Sequence, residues 1–305
     1  MASWSSRNRQ RLVQVAGTIL AIVLLVLLIR EDGWAAVVAA MKKIPLADLF
    51  WVTILFFISR IAVVWRWHVL LRSGGVKIPM KDSAMLTFTG LFASNFLPTT
   101  IGGDVLRLAG AMKMGYDKAV CLASIAADRL IGMFGMFMVA PLGLAYSWNI
   151  LPANPLGASF FGFIQKPLDF IKRTLLTFSI WFQKPGSLLL SLAFTWVHMI
   201  CLFWSIYIFL EDLGNPVSFW MIAGLWSLTY FITQIPISIN GYGLQELTFT
   251  FLFSRVAGVP PADSFTVSIL IRTYLVIASL PGVFFMPSAL AAMTEKQSST
   301  TDTAL

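Results

Sequence analysis

Eight ionisable side chains lie within or beside apolar stretches of this sequence, where a lipid environment makes an isolated charge costly. Five are arginines and three are acids: Arg60, Arg66, Arg107, Arg129 and Arg272, with Asp104, Asp128 and Glu246. Arginine keeps its charge when buried, and its planar guanidinium binds phosphate or carboxylate through two hydrogen bonds. The surplus of arginine predicts a buried site for an anionic group.

Two polar segments that contain glycine interrupt these apolar stretches. Residues 98–102 read Pro-Thr-Thr-Ile-Gly, and residues 236–241 read Pro-Ile-Ser-Ile-Asn-Gly. Both follow the pattern Pro-x-Ser/Thr-Ile with a glycine behind it, and an acid comes next, Asp104 in the first case and Glu246 in the second. Broken helices at corresponding places in two halves of a membrane protein are typical of a transport site.

The residues after the first break predict a helix end that binds an anion. Asp104 and Arg107 are three apart, so they share one face of a helix. The turn at Gly102 and Gly103 would begin that helix, whose free N–H groups and positive dipole end favour an anion. Alternatively, Asp104 simply caps the helix.

We select candidate substrate-binding residues from the two breaks and the neighbouring spans. They are Asn95, Gly102, Gly103, Asp104, Arg107, Asp128, Arg129, Ser238, Gly241, Glu246 and Arg272. The glycines are expected to form turns first and to contact substrate through the same conformation. Arg60 and Arg66 are left out because we expect them to snorkel to the cytoplasmic side of the membrane.

Several of these residues also have a purely structural interpretation. Asp128 and Arg129 could form a buried ion pair that docks one span on a hairpin. Arg272 could pair with Glu246, or it could bind a phosphate when that acid is protonated or displaced. Asn95 could serve only to satisfy backbone groups that the break leaves free.

The composition excludes a soluble protein. Hydrophobic residues make up 58% of the chain and charged residues 12%, and the mean hydropathy is +0.80. In 305 residues, spans of about 20 residues and their connections leave no room for an extramembrane catalytic domain. The net charge of +8 is explained by basic residues at span ends, so we expect no nucleic acid partner.

The cysteines and histidines predict neither a metal site nor a disulfide. Cys121 and Cys201 lie in apolar surroundings, so we expect buried thiols. His68 and His198 are far apart in the sequence and have no clustered acids or thiols beside them. We therefore expect no metal and no cofactor.

The apolar pattern predicts an all-α polytopic membrane protein with about six transmembrane spans and two re-entrant helical hairpins. The first hairpin, residues 83–115, would enter from the cytoplasm, and the second, residues 219–257, from outside. The topology of residues 147–186 is the least clear from the sequence, and this region would supply one membrane crossing. The other spans cover about residues 12–29, 47–71, 118–146, 188–210 and 265–292.

Charged flanks orient these elements. Three arginines before the first span place the N-terminus in the cytoplasm, and the C-terminus is expected on the same side. Residues 1–293 would form a single membrane domain, and the Ser/Thr-rich tail 294–305 would be disordered. The halves, about 45–146 and 187–292, would form an inverted-topology repeat around a central site.

The same motifs resemble those of a known family. They are Asn-Phe-Leu-Pro at 95–98 with Gly-Gly-Asp at 102–104 and Arg107, Asp128-Arg129, Pro-Ile-Ser at 236–238 with Gly-Tyr-Gly at 241–243 and Glu246, and Arg272. The sequence resembles the transmembrane, flippase-like region of lysylphosphatidylglycerol synthases and its stand-alone relatives. That resemblance implies a bacterial-type inner-membrane protein that moves a lipid between leaflets, with re-entrant helices around a central cavity.

One departure from the family pattern narrows this expectation. The synthases add a soluble domain that transfers an amino acid from tRNA, and this sequence ends at Leu305 without one. The resemblance therefore implies a stand-alone member that does not make lysyl lipids. Relatives are associated with glycerolipid, hopanoid and polyprenyl-phosphate pathways, which leaves the lipid open.

The sequence thus favours a transporter, not an enzyme, for an anionic lipid of the cytoplasmic membrane, either a phospholipid or a polyprenyl-phosphate-linked lipid. Two alternatives stay open. One is a membrane-embedded, polyprenyl-phosphate-dependent glycosyltransferase that uses Asp104 and Glu246. The other is a structural partner of a separate lipid synthase. The expected partners are the anionic lipid substrate and the surrounding membrane lipids. Two further partners stay open, a second copy of the chain in a homodimer and a separate lipid-modifying enzyme.

Overall fold

A computed structural model describes four stretches of the chain, residues 33–95, 102–148, 184–235 and 238–284. Every regular element in these stretches is helical. Three predicted features lie outside the described residues: the first span at 12–29, most of the region 147–186 with its crossing, and the tail 294–305. Most of the first break and the Pro-Ile pair of the second also lie outside them.

Nine α-helices and two 3-10 turns are described in these stretches. The helices are α1 (Gly33–Lys43), α2 (Leu46–Ser73), α3 (Met80–Ser94), α4 (Gly102–Lys113), α5 (Lys118–Ser147), α6 (Pro185–Asp212), α7 (Phe219–Thr233), α8 (Leu244–Val256) and α9 (Pro261–Ile277). The turns are Ile239–Gly241 and Leu280–Phe284.

Four elements are long and apolar enough to cross a membrane, namely α2, α5, α6, and α9 with its following turn, Pro261–Phe284. The sequence located the first three within a few residues. The last one, predicted at about 265–292, is described as Pro261–Phe284: α9 ends at Ile277, and the predicted interruption, Pro281 with Gly282, falls in a 3-10 turn. Residues 285–292 lie outside the described part of the chain. A proline offers no backbone N–H, so it cannot extend the helical hydrogen-bond ladder.

Two shorter helix pairs occupy the positions of the predicted hairpins. Helices α3 and α7 have 15 residues each, too few to cross about 30 Å of hydrocarbon at 1.5 Å per residue. After each break the chain continues in α4 or α8, with 12 and 13 residues. In both pairs the second helix packs against the first. Helices α3 and α4 approach closely because Gly103 contacts the backbone of Gly90, where a Cβ would not fit.

The two halves of the chain repeat the same order of elements. Helices α2, α3, α4 and α5 correspond to α6, α7, α8 and α9, and α2 and α6 have 28 residues each. The contacts between the halves are reciprocal. Helix α5 packs on α7 through Gly143 and Gly224, and the turn after α9 packs on α3 through Gly282 and the carbonyl of Phe88.

An aromatic core fills the second half. The rings of Phe249 and Phe253 stack with centroids 4.0 Å apart, and Phe56 from α2 stacks on Tyr274 from α9 at 5.3 Å. The Tyr274 hydroxyl donates to the carbonyl of Leu49 at 2.9 Å, which satisfies its one buried polar atom. The centre of this half is therefore packed with aromatic rings.

A smaller apolar cluster supports the first half. Trp67, Leu86 and Ile125 pack there with Cys121, and both this cysteine and Cys201 are free and buried, as predicted. The cluster holds the outer sides of α2, α3 and α5 together. Their inner sides carry polar residues and enclose the site described next.

Candidate functional site

A cavity of about 270 Å³ lies between the first hairpin, α2, α5, α6 and the end of α7. Its charged lining comes from four arginines and two aspartates: Arg60, Arg66, Arg107, Arg129, Asp104 and Asp128. Thr195, His198, Tyr230 and Gln234 add polar groups. With histidine neutral, the described lining carries two more positive than negative charges.

Asp128 lies at the centre of this charge cluster. It is only 2% exposed, and its Oδ1 accepts from Nε of Arg66 at 2.6 Å. Its Oδ2 accepts from Nη1 of Arg107 at 3.2 Å. Arg66 also donates from Nη1 to the hydroxyl of Thr195 at 3.4 Å, so it links α2, α5 and α6.

The expected snorkelling of Arg60 and Arg66 is wrong. Arg60 is 7% exposed and Arg66 8%, and both line the cavity. For Arg66 the reason is Asp128, because an ion pair with hydrogen bonds offsets the desolvation of a buried guanidinium. The side chain therefore points between helices and not along the membrane interface.

Asp104 extends the network to the first hairpin. Its Oδ1 accepts from Nη1 of Arg107 at 3.2 Å, which confirms that these two residues share a helical face. Its Oδ2 accepts from Nε of Arg129. Both oxygens are thus bonded to guanidinium groups, a role beyond that of a simple helix cap. Asp128 and Arg129 each form an ion pair with an opposite charge on α4, so they dock α5 on the first hairpin through two separate pairs.

Arg107 is held in place but keeps hydrogen-bonding capacity. It is 6% exposed, yet its Nε and Nη2 have no hydrogen-bond partner among the described residues. Its Cζ lies 4.1 Å from the ring centroid of Trp67, and the indole N–H of Trp67 donates to Ser124 at 3.1 Å. Buried N–H groups without partners are costly, so this guanidinium is suited to donate hydrogen bonds to a further anionic oxygen.

The second break carries a separate charge cluster. Glu246 accepts from the backbone N–H of Gly243 at 2.8 Å and from Nε of Arg272 at 2.6 Å. Nη2 of Arg272 donates to the carbonyl of Gly241 at 3.1 Å, and its Cζ lies 4.5 Å from the ring centroid of Tyr242. Of the two interpretations of Arg272, pairing with Glu246 is the one that the structure shows.

This second cluster closes a tight turn with positive φ values. Gly241 and Gly243 have φ values of 73° and 75°, and Asn240 between α7 and α8 has φ 47°. Glycine adopts such a backbone without strain, and asparagine tolerates it. The structure does not place Ser238, Gly241, Glu246 or Arg272 in the described lining of the cavity, so their predicted contact with substrate has no support in its geometry.

Asn95 and the glycines of the first break also lie outside that lining. The side-chain amide of Asn95 donates to the hydroxyl of Ser279 at 2.9 Å. The backbone carbonyl of Asn95 accepts from the hydroxyl of Tyr242 at 3.1 Å. Asn95 therefore ties the end of α3 to the second half. Gly102 begins α4, and Gly103 packs against α3.

Sequence reasoning missed five residues that shape the site. They are Ser59, Trp67, Gly90, Thr195 and His198. A Cβ at Gly90 would lie 2.6 Å from Cγ of Arg107, so this glycine makes room for that side chain. The one signal in the sequence was the spacing of Thr195 and His198, because polar residues three apart share a helical face.

The two acid–arginine pairs occupy equivalent places in the repeated elements. Asp104 and Glu246 are each the third residue of the second hairpin helix, and Arg129 and Arg272 are each the twelfth residue of the following helix. The other charges are not repeated. By the same count Arg107 corresponds to Phe249, Asp128 to Ile271, Arg60 to Met199 and Arg66 to Ser205.

A family model described as the lysylphosphatidylglycerol synthase TM region matches residues 14–165 and 156–282. The chain belongs to this family. The match confirms the resemblance seen in the motifs and, with the four spanning helices, indicates a membrane protein with a lipid-related role. A comparison with curated proteins gives no match.

Proposed function

We propose that this protein is a transporter, not an enzyme, that moves an anionic lipid between the leaflets of the cytoplasmic membrane. The single observation that carries the proposal is Arg107, a buried guanidinium with two nitrogens that have no hydrogen-bond partner among the described residues, in a cavity whose described lining has a surplus of positive charge. Asp104 and Asp128 pair with Arg107, but the two further positive charges of the described lining are costly at this depth unless opposite charges accompany them. An anionic headgroup supplies such charge.

The cavity size fits a headgroup and not a whole lipid. A volume of about 270 Å³ holds a phosphate with a small substituent, while the acyl chains stay in the bilayer. Guanidinium N–H groups then replace the water around the phosphate, through hydrogen bonds that are stronger than neutral ones. The Arg66–Asp128 and Arg129–Asp104 pairs keep the remaining charge balanced when the site is empty.

Alternating access, in this proposal, comes from an inverted repeat. The equal order of elements, the reciprocal contacts and the equivalent acid–arginine pairs support two related halves. The two short helix pairs are re-entrant hairpins that enter from opposite faces, the first from the cytoplasm. One half rocks against the other around the breaks. Both termini lie in the cytoplasm.

Reconstituted vesicles test the proposal. Wild-type protein should move a fluorescent anionic phospholipid to the opposite leaflet faster than protein-free vesicles do. Arg107→Gln should slow this at least about tenfold, because a hydrogen bond to a charged group contributes about 1.5–3 kcal/mol. Arg255→Gln is the matched control, because Arg255 is an exposed arginine in the last turn of α8. Equal rates for wild type and Arg107→Gln would refute the proposal.

A further inference from the structure

We propose that the cavity selects lipids whose head is a phosphate monoester, with Arg60 as the residue that recognises the second negative charge. This inference rests on the proposed function and deepens it. A phosphodiester lipid carries one negative charge on its phosphate, whereas a phosphate monoester carries about −1.5 to −2 at pH 7.

The charge of the described lining matches the monoester. Four arginines face two aspartates, which leaves two positive charges for the ligand to neutralise. A diester would leave one buried cation without a counter-charge, and an unpaired buried charge is strongly unfavourable. A monoester neutralises both and leaves the ion pairs of the empty site intact.

Arg60 differs from the other arginines of the cavity. Arg66, Arg107 and Arg129 all form ion pairs with aspartates. Among the described residues Arg60 forms no ion pair, and its buried Nε has no hydrogen-bond partner. It is 7% exposed and lines the same cavity. Within the part of the chain that the structure describes, Arg60 is therefore the cavity cation that no acid neutralises.

His198 supplies a neutral hydrogen-bonding group to the same cavity. Its Nδ1 lies 2.6 Å from the hydroxyl of Ser59, the residue that precedes Arg60 on α2. This bond fixes the ring in the wall formed by α2 and α6. When Ser59 donates to Nδ1, Nε2 carries the hydrogen and can donate to a phosphate oxygen. A monoester has one more terminal oxygen than a diester, and Arg60 with His198 can bind it.

The test compares two lipids that differ by one methyl group. Phosphatidic acid is a monoester, and phosphatidylmethanol with the same fluorescent acyl chains is its singly charged diester. In vesicles, wild-type protein should translocate phosphatidic acid at least roughly tenfold faster, because one further charge contact at low effective dielectric is worth that much. Arg60→Gln should reduce the ratio of the phosphatidic acid rate to the phosphatidylmethanol rate to near one, while phosphatidylmethanol still moves. Arg60→Lys, which keeps the charge, should retain part of the preference.

Each outcome decides between the proposals. Equal rates for the two lipids in wild type, with Arg107→Gln still inactive, would overturn the monoester inference and leave the transporter intact. Loss of both lipids in Arg60→Gln at an unchanged melting temperature would make Arg60 a general anion ligand and also overturn it. If Arg60→Gln does not fold, the ratio of the two translocation rates in wild type and in Arg60→Lys decides whether the monoester inference stands. Uptake of radiolabelled inorganic phosphate in place of lipid movement would show that the source is free phosphate, against both proposals.

Discussion

Arg107 is a buried side chain that serves the structure and, in the proposed function, also binding. Asp104 and Asp128 hold one edge of its guanidinium at 3.2 Å each, and Trp67 lies against its face. The remaining edge, Nε and Nη2, has no hydrogen-bond partner among residues that the structure describes. Because the two acids fix the group before a ligand arrives, little side-chain entropy is lost on binding. Gly90 is needed to leave space for this arrangement.

Substitution of Gly90 should therefore impair the site without removing a charge. The Cβ of Gly90→Ala would lie 2.6 Å from Cγ of Arg107 and 2.9 Å from the carbonyl oxygen of Gly103. We expect a loss of about 1–3 kcal/mol in the free energy of unfolding, as for overpacked cores, and slower lipid translocation. Thermal unfolding in detergent and the vesicle assay measure the two effects.

Gly186→Ala provides the control for this substitution. A Cβ at Gly186 meets no atom within 4 Å, and the residue lies in the first turn of α6. Alanine is the better helix former, so stability should stay equal or rise slightly. If Gly90→Ala behaves like this control in both assays, Arg107 does not need the space that the structure assigns to it.

At this scale the sequence predicts only contacts that are local. The pairing of Asp104 with Arg107 follows from their spacing on one helix, and the structure confirms it. The pair of Arg66 with Asp128 spans 62 residues, and the rotation of two helices decides whether it forms. An arginine near a helix end can point to the interface or to a neighbour, so snorkelling was the wrong choice for Arg66.

Helix breaks and glycines determine how the elements meet. The sequence predicts both hairpins from proline, glycine and polar residues, because these end a helix by steric and hydrogen-bonding rules. It does not predict the reciprocal contacts between halves. The close approach at Gly143 and Gly224 depends on which faces of α5 and α7 come together, and no local pattern contains that information.

Opposite entry of the hairpins is testable by cysteine labelling in intact cells. Met114→Cys lies after α4, on the predicted cytoplasmic side. Pro216→Cys lies between α6 and α7, on the predicted outer side. Both positions are exposed. A membrane-impermeant maleimide should label Pro216→Cys at once and Met114→Cys only after permeabilisation. Mass shift on a gel measures the labelling.

The native cysteines provide the background for this experiment. Cys121 and Cys201 are buried, so wild-type protein should not be labelled under native conditions. Immediate labelling of both introduced cysteines in intact cells would place the two loops on one side. The inverted repeat would then be wrong, although the cavity itself would not change.

The whole molecule is asymmetric despite its repeated elements. The first half supplies every charged residue of the described cavity lining, whereas the second half has an aromatic core at the equivalent place, with Phe249 where Arg107 stands in the first. Composition and motifs predict a polytopic lipid-related membrane protein, but the difference between halves appears only once helices are aligned and packed.

Entry of the headgroup into the cavity can be measured most directly with photo-methionine. Met136 lines the cavity and is 4% exposed, whereas Met138, two residues along α5, is 49% exposed and faces away. Protein containing photo-methionine is irradiated in vesicles, and mass spectrometry locates the lipid adducts. Anionic lipid should label Met136, zwitterionic lipid should label only Met138, and Arg107→Gln should abolish the Met136 adduct. Anionic adducts confined to Met138 in wild type would contradict the account.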